Sequence, residues 1–279
     1  ILHAPADSLP LDDRFKDARV SGGVQWDKSI SEKWRHSRGI TFSKEHDYWH
    51  MGVNSTASHT LNNKNTTLNG GLSLASDRVE AEGGKPIPLS LASSDREGNG
   101  HKTNAEIMLG VTQVLNKRAV AQLNYSYSQA SDYLNDPYKY ISITGLDGVI
   151  AENRFESRPD TRKGHNLYAA LKYKANDKTT LSTSARLHRD DWGTDSITLE
   201  QKVRFELANG RSVEPHLRYY QQQAADFYTP QLLTGNALPS YASADYRLAK
   251  FDAYTLGATY RWPDKKEREW RVTGEYYHQ

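Results

Sequence analysis

Residues 196–223 alternate so strictly that they leave few folds open. Ile197, Leu199, Val203, Phe205 and Leu207 share one parity, and Thr198, Glu200, Lys202, Arg204 and Glu206 share the other. After Asn209-Gly210 the pattern resumes, with Val213, Pro215, Leu217 and Tyr219 opposed to Glu214, His216, Arg218 and Tyr220. Successive side chains of a strand point to opposite faces, so each arm is a long strand with one apolar and one charged side. Asn-Gly supplies the positive φ angles of a two-residue hairpin turn.

The pattern recurs along the chain. Residues 1–15, with Pro5 and Pro10, show no period and read as a linker or loop, leaving 16–279 as one β domain. Val20, Val24 and Trp26, then Ile40 and Phe42, mark two strands; Trp49, Met51, Val53, Ala57 and Leu61 mark a third, and Leu68, Leu72 and Leu74 a fourth. Residues 79–102 are polar and hold Gly83, Gly84, Pro86 and Pro88, the composition of a long loop. Ala105 to Val111 and Ala119 to Tyr127 alternate again on either side of a turn at 116–118, and a second long loop spans about 130–164. Leu167 to Tyr173 and Leu181 to Leu187 flank a turn at 176–178, and residues 190–195 lead into the first hairpin. A third long loop reaches about residue 247. Tyr254, Leu256, Ala258, Tyr260 and Trp262, a turn at 263–266, and Trp270, Val272 and Tyr276 complete the order.

The expectation is an all-β chain of about twelve strands, mostly roughly ten residues long, which is the length of tilted membrane strands. Soluble strands average about five or six residues. Short turns alternate with long loops, as periplasmic turns and extracellular loops do in outer-membrane barrels. The reading is therefore a transmembrane antiparallel β-barrel, against the alternative of a soluble β-sandwich, which has no reason to sort its loops by length. Closure fits the same physics, because backbone polar groups in lipid must pair among themselves.

Composition agrees. A mean hydropathy of −0.80 leaves no run near the roughly 20 apolar residues of a spanning helix, yet barrels escape that test because only alternate residues meet lipid. The 17 Tyr and 6 Trp against 6 Phe suit sites with one dry and one wet end. The absence of Cys excludes a disulfide framework, a thiol nucleophile and a Cys-ligated zinc. Well-mixed charges with a net of +2 argue against a nucleic-acid partner, which calls for a concentrated basic face. The chain starts at Ile1, which reads as a processed or partial product.

Several motifs carry a resemblance. They are residues 43–48 (Ser-Lys-Glu-His-Asp-Tyr), 110–115 (Gly-Val-Thr-Gln-Val-Leu), 132–139 (Asp-Tyr-Leu-Asn-Asp-Pro-Tyr-Lys) and 158–162 (Arg-Pro-Asp-Thr-Arg). They continue with 190–193 (Asp-Asp-Trp-Gly), 218–221 (Arg-Tyr-Tyr-Gln) with 225–228 (Ala-Asp-Phe-Tyr), and 245–248 (Asp-Tyr-Arg-Leu). As an ordered set over most of 12–279, they resemble a family of outer-membrane β-barrels of Gram-negative bacteria known as a domain of unknown function. The resemblance implies a bacterial outer-membrane location and no catalytic residues. It also implies further strands ahead of about Phe15, so that a complete wall would hold about fourteen, an even number as is usual. A terminal aromatic residue is usual in barrels, whereas Tyr277 is followed by His278 and Gln279, so a few C-terminal residues are expected to be missing. Genes of such proteins often neighbour those of flavin-transferring envelope proteins, which implies redox work nearby. The nearest flavin-accepting pattern, Asp252 to Thr259, is one residue too long and mid-strand, so no cofactor is expected.

The polar parity supplies candidate lumen-lining residues: Arg186, His188, Glu200, Lys202, Arg204, Glu214, His216, Arg218 and Arg271, with Glu206, Arg261, Glu269 and Glu275 on the same side. They would either brace the lumen with ion pairs or tune a polar channel. Asp132, Asp136, Asp190, Asp191 and Asp226, with Arg158, Arg162 and Arg247, are candidates for organising the loops into a lid. No Ca²⁺ loop, metalloprotease or nucleophile-elbow motif is present. His46 and His50, four apart on one strand face, would stand roughly 13 Å apart, too far to share a metal. The expected function is a non-enzymatic barrel, either a channel or a membrane platform, whose partners are outer-membrane lipid and an envelope or cell-surface protein. The alternative is a hydrolase pairing His188 with Asp190 at the lumen mouth; neighbouring Asp190 and Asp191 point opposite ways, so at most one can join His188.

Overall fold

The computed structural model describes residues 18–264 and 268–279. The expected 1–15 linker lies outside the described residues, as do Lys265 and Lys266 of the last turn. Seventeen strands follow in order: β1 Val20–Ser29, β2 Trp34–Lys44, β3 Tyr48–Leu61, β4 Thr66–Val79, β5 Lys85–Pro86, β6 Arg96–Glu97, β7 Gly100–Asn116, β8 Ala119–Asp132, β9 Tyr140–Thr144, β10 Ile150–Phe155, β11 Thr161–Asn176, β12 Thr179–Asp190, β13 Ser196–Glu206, β14 Ser212–Gln222, β15 Gln231–Leu233, β16 Phe251–Pro263 and β17 Glu269–His278. Among the described residues the helical elements are three-residue 3₁₀ turns.

Twelve strands form one sheet in the order β1-β2-β3-β4-β7-β8-β11-β12-β13-β14-β16-β17. Every neighbouring pair is antiparallel. This is the wall of a transmembrane antiparallel β-barrel. The edge strands β1 and β17 are not hydrogen-bonded to each other.

Register carries the alternation from strand to strand. Ser184, Glu200, Arg218 and Thr255 are successive cross-strand partners, as are Gly39, Asn54, Ser73, Glu106 and Ser128. This polar face is the concave one: Gln25, Ser58, Asn69, Met108 and Asn124, from five strands, border a single hollow of about 440 Å³. The opposite face exposes Ile40, Leu72, Ile107, Leu123, Leu199, Phe205, Leu217 and Leu256, the surface a transmembrane barrel turns to hydrocarbon. Exposed aromatics fringe it at both ends, with Trp26, Trp34, Tyr173 and Trp270 near the short turns and Phe42, Trp49, Tyr254 and Tyr276 near the loops.

Several wall strands run further than alternation indicates. β4 and β7 extend to Val79 and from Gly100, while β8 and β11 extend to Asp132 and from Thr161. At those ends Ser76 and Arg78, and Gln129 and Ser131, occupy the outward parity. With polar residues on both faces the apolar period vanishes while the backbone ladder continues. The hairpin turn at Asn209-Gly210 spans three residues, not two: Leu207 N–H donates to Arg211 O across residues 208–210, and Asn209 and Gly210 both take positive φ. His46 lies in the connection between β2 and β3, not on a strand, so its spacing from His50 carries no strand geometry.

The long connections meet at one end of the wall as a folded crown. Within it β9, β10 and β15 form a three-stranded sheet and β5 pairs with β6. Most of the buried apolar side chains are here, including Ile141, Ile143, Phe155 and Ala242, and a cluster of Trp192, Ala225 and Leu248 packed by Leu134, Phe227 and Tyr228. The wall is thus inside-out, while the crown packs like a small soluble protein.

Leu217 stands midway along β14 with its side chain outward. Leu217→Arg is expected to cost about 2–4 kcal/mol when folding into lipid vesicles is measured by denaturant titration, the depth-dependent cost of a charge at the bilayer midplane.

Candidate functional site

The wall meets the crown at a mouth built around Asp190. This carboxylate ends β12 and is buried. Its Oδ1 accepts the backbone N–H groups of Trp192 (3.0 Å) and Thr194 (2.9 Å), which fixes the tight turn after the strand. Its Oδ2 accepts from Arg162 Nε at 2.8 Å and from the Thr194 hydroxyl. The Arg162 guanidinium also lies over the Trp192 ring, 4.7 Å from its centre, and Trp192 Nε1 donates to Thr161 O at 2.8 Å. Gly193 follows with φ +80°, and a Cβ there would collide with Asp226 Oδ1. The turn therefore needs glycine both for its conformation and for its closeness to Asp226.

His188 lies two residues before Asp190 on the same lumen face. Its Nε2 is 3.2 Å from Asp190 Oδ2, and its Nδ1 is 2.9 Å from Asn166 Oδ1. The ring sits over Gly164, where a Cβ would come within 3.0 Å of it. Below it a hollow of about 340 Å³ opens to Glu106, Asn104, Ser128 and Arg162. Asp191 points the other way and accepts the Lys163 backbone N–H at 2.8 Å.

Above the mouth the crown is held by a chain of alternating charges. Glu156 and Asp245 are fully buried. Arg158 Nη2 donates to Glu156 Oε2 at 2.9 Å and to Asp245 Oδ2 at 2.8 Å. Arg247 Nε donates to Asp245 Oδ2 at 2.8 Å, and its Nη2 reaches Asp136 Oδ2 at 2.7 Å. The Asp136 backbone N–H and the Ser243 hydroxyl donate to Glu156. One network so joins the β8–β11 and β14–β16 loops, and Tyr138 adds the β2–β3 connection through a 2.6 Å bond to Asp47. Burial pushes the Asp245 carboxyl up, but the hydrogen bonds and charge of Arg247 and the charge of Arg158 outweigh that and hold it at about 2. Burial and the Asp47 bond push the Tyr138 phenol up to about 12.

The remaining candidates separate into two groups. On the lumen face Glu200 meets Lys202 at 2.5 Å and His216 at 2.9 Å, and His216 also reaches Glu275 at 2.9 Å. Arg204 pairs with Glu206 at 2.7 Å, and Arg261 with Glu214 at 3.2 Å. Arg186 lies 5.8 Å from the Tyr168 ring, while Arg218 and Arg271 have no carboxylate within 4 Å among the described residues. At the rim Asp132 accepts from Thr103 Oγ1 at 3.2 Å. Among the described residues no group of three His, Cys, Asp or Glu is placed to hold a metal ion. Thr259 faces inward, hydrogen-bonded to Thr273 at 2.9 Å.

Sequence reasoning missed Glu156 and Asp245, the two carboxylates the crown closes on. Asp245 lay in a motif, two residues before Arg247. Glu156 has one local partner, Arg158 two residues on, but its other partners come from 20 and 87 residues away. The β9–β10 hairpin was also missed, although Ile141 and Ile143 alternate and Asp147-Gly148 is a turn signal.

The chain matches the family described as protein of unknown function (DUF3570) over residues 2–279, and it belongs to that family. No curated protein matches it. Among solved structures it is similar to the siderophore receptor PirA from Pseudomonas aeruginosa, with a TM-score of 0.57 and 11% identity over 94% of this chain and 44% of that one. It is also similar to the siderophore receptor PirA from Acinetobacter baumannii (0.52, 8%, 92% and 47%) and to a mutant of the ferric enterobactin receptor PfeA from Pseudomonas aeruginosa (0.54, 10%, 89% and 40%). The chain thus spans less than half of each receptor, and the likeness is one of fold.

Asp245→Asn removes the charge shared by two arginines. It is expected to cost the crown about 3 kcal/mol, read as faster proteolysis and amide exchange in the 133–160 and 223–250 loops while the wall stays protected. Because the Asp245 carboxyl is held below its ordinary value, its contribution is complete above about pH 4 and is lost as pH falls through about 2. Amide exchange over a pH series should show the crown loosening across that window. Gly193→Ala should open the Asp190 turn, seen as lost quenching or a red shift of Trp192 fluorescence.

Proposed function

We propose, with membership of this family and a transmembrane barrel fold as premises, that the protein resides in the bacterial outer membrane. There it serves as a channel for small hydrophilic solutes, and the crown narrows its mouth. The observation that carries this reading is the inner face. From β1 to β8 it is lined mainly by Ser, Thr, Asn, Gln and Gly, short side chains that leave open polar hollows rather than a packed plug. A wall with polar residues inside and apolar ones outside is the arrangement of aqueous pores.

A second reading, a platform for an envelope or cell-surface protein, is favoured by the crown's outer tip. Leu146 is 98% exposed at the end of the β9–β10 hairpin, beside Val149 at 63%, and Leu233 and Leu238 are also exposed. Apolar side chains bared above the membrane suit contact with another protein.

The arrangement of His188 supports a non-enzymatic reading. Both ring nitrogens are engaged, by Asp190 and Asn166, and Asp190 is itself filled by the turn it caps. A general base needs a free nitrogen aimed at its substrate.

Full-length protein in planar bilayers is expected to give discrete conductance steps and, in the same preparation, no ester or peptide turnover. Bilayers that stay silent at verified protein density would remove the channel reading. Turnover abolished by His188→Ala would replace it with a hydrolase.

A further inference from the structure

The inner face is not electrically even, and the imbalance has a position. On the half of the wall formed by β11 to β17, Glu200 and Glu206 are engaged by Lys202 and Arg204, Glu214 and Glu269 share Arg261, and Glu275 hydrogen-bonds His216. At the mouth Asp190 is taken by Arg162. Four cations on the same face have no carboxylate within 4 Å among the described residues: Lys172, Arg186, Arg218 and Arg271. All four are exposed, and register places them on the inward parity of β11, β12, β14 and β17. Arg186 and Arg218 stand mid-wall on strands two apart, roughly 10 Å across the sheet.

The facing half leans the other way. Between β1 and β8, Asp77 is held by Lys102 and His50. Asp27, Glu106 and Asp132 are the inward carboxylates there without a Lys or Arg within 4 Å among the described residues, and Arg35 lines the same hollow as Asp27. Paired groups cancel at a distance, whereas unpaired ones set the field. A water-filled lumen with low-dielectric walls focuses that field and raises the local concentration of the opposite charge.

We infer that the β11–β17 side of the lumen draws anions, and that Lys172, Arg186 and Arg218 form the ladder along which a small inorganic anion or carboxylate passes. Arginine and lysine serve different parts of that task. The Arg186 and Arg218 guanidiniums can each grip two oxygens of a carboxylate or phosphate, while Lys172 acts as a point charge nearer the turns. The inference rests on the channel reading and adds the charge of what permeates.

The test is the zero-current potential of full-length protein in a planar bilayer separating concentrated from dilute KCl. The expected sign is that of chloride permeating a few-fold faster than potassium. The combined variant Lys172→Gln, Arg186→Gln and Arg218→Gln should bring the ratio to near one or below it while conductance persists. Lys28→Gln, which removes one charge from the outward parity of β1, should leave the ratio unchanged. A cation preference in the unaltered protein overturns the inference and leaves the channel intact, and so does a ratio that the triple variant does not move. Bilayers that stay silent overturn the channel reading and the inference with it.

Discussion

Hydrocarbon offers a peptide group nothing to hydrogen-bond with, and that single fact organises the molecule. Each N–H and C=O carried through lipid must find a partner within protein. From β1 to β17 the wall meets the demand with an antiparallel ladder across twelve strands, which leaves the outer edges of β1 and β17 without a wall partner among the described residues. Everything else is freed by it. Because the ladder does not depend on side chains, one parity can be given wholly to lipid and the other to water and charge.

The two parts of the molecule then use different physics. The wall keeps its apolar side chains outside, and its inner face is held by short-range ion pairs such as Arg261 with Glu214. The crown has a dry centre around Phe155, Ile141 and Trp192 and fastens itself with buried carboxylates. Asp190 belongs to both parts. It ends a wall strand, faces the lumen through His188, and caps the turn that presents Trp192 to the crown. A buried charge of that kind is tolerable only because five donors or charges converge on it.

How legible each part was follows from what imposes its pattern. Lipid on one side and water on the other force a period of two, so the hairpin through Asn209-Gly210 and its neighbours could be read directly. Where strands rise above the bilayer, as at Ser76 to Val79 or Gln129 to Asp132, both faces are wet and the period fades while the pairing persists. His188 and Asp190 could be linked in advance because residues two apart on a strand share a face. The burial of Glu156 could not be read in the same way, since it is decided by Ser243 and Asp136 as well as by the adjacent Arg158, and only the folded loops bring the first two to it. The short β9–β10 hairpin was obscured by its setting in a long polar connection.

Sequence distance gives the crown a further property. Wall strands pair mostly with the next wall strand along the chain, so their contacts form by local zipping. The bonds that close the crown join residues far apart: Arg247 reaches Asp136 over 111 positions, Tyr138 reaches Asp47 over 91, and Ser243 reaches Glu156 over 87. Contacts that enclose so much chain are entropically slow to form until their ends are already held near each other. Only a nearly finished wall holds them so. Closing the crown therefore depends on the wall beneath it, which brings these distant residues together.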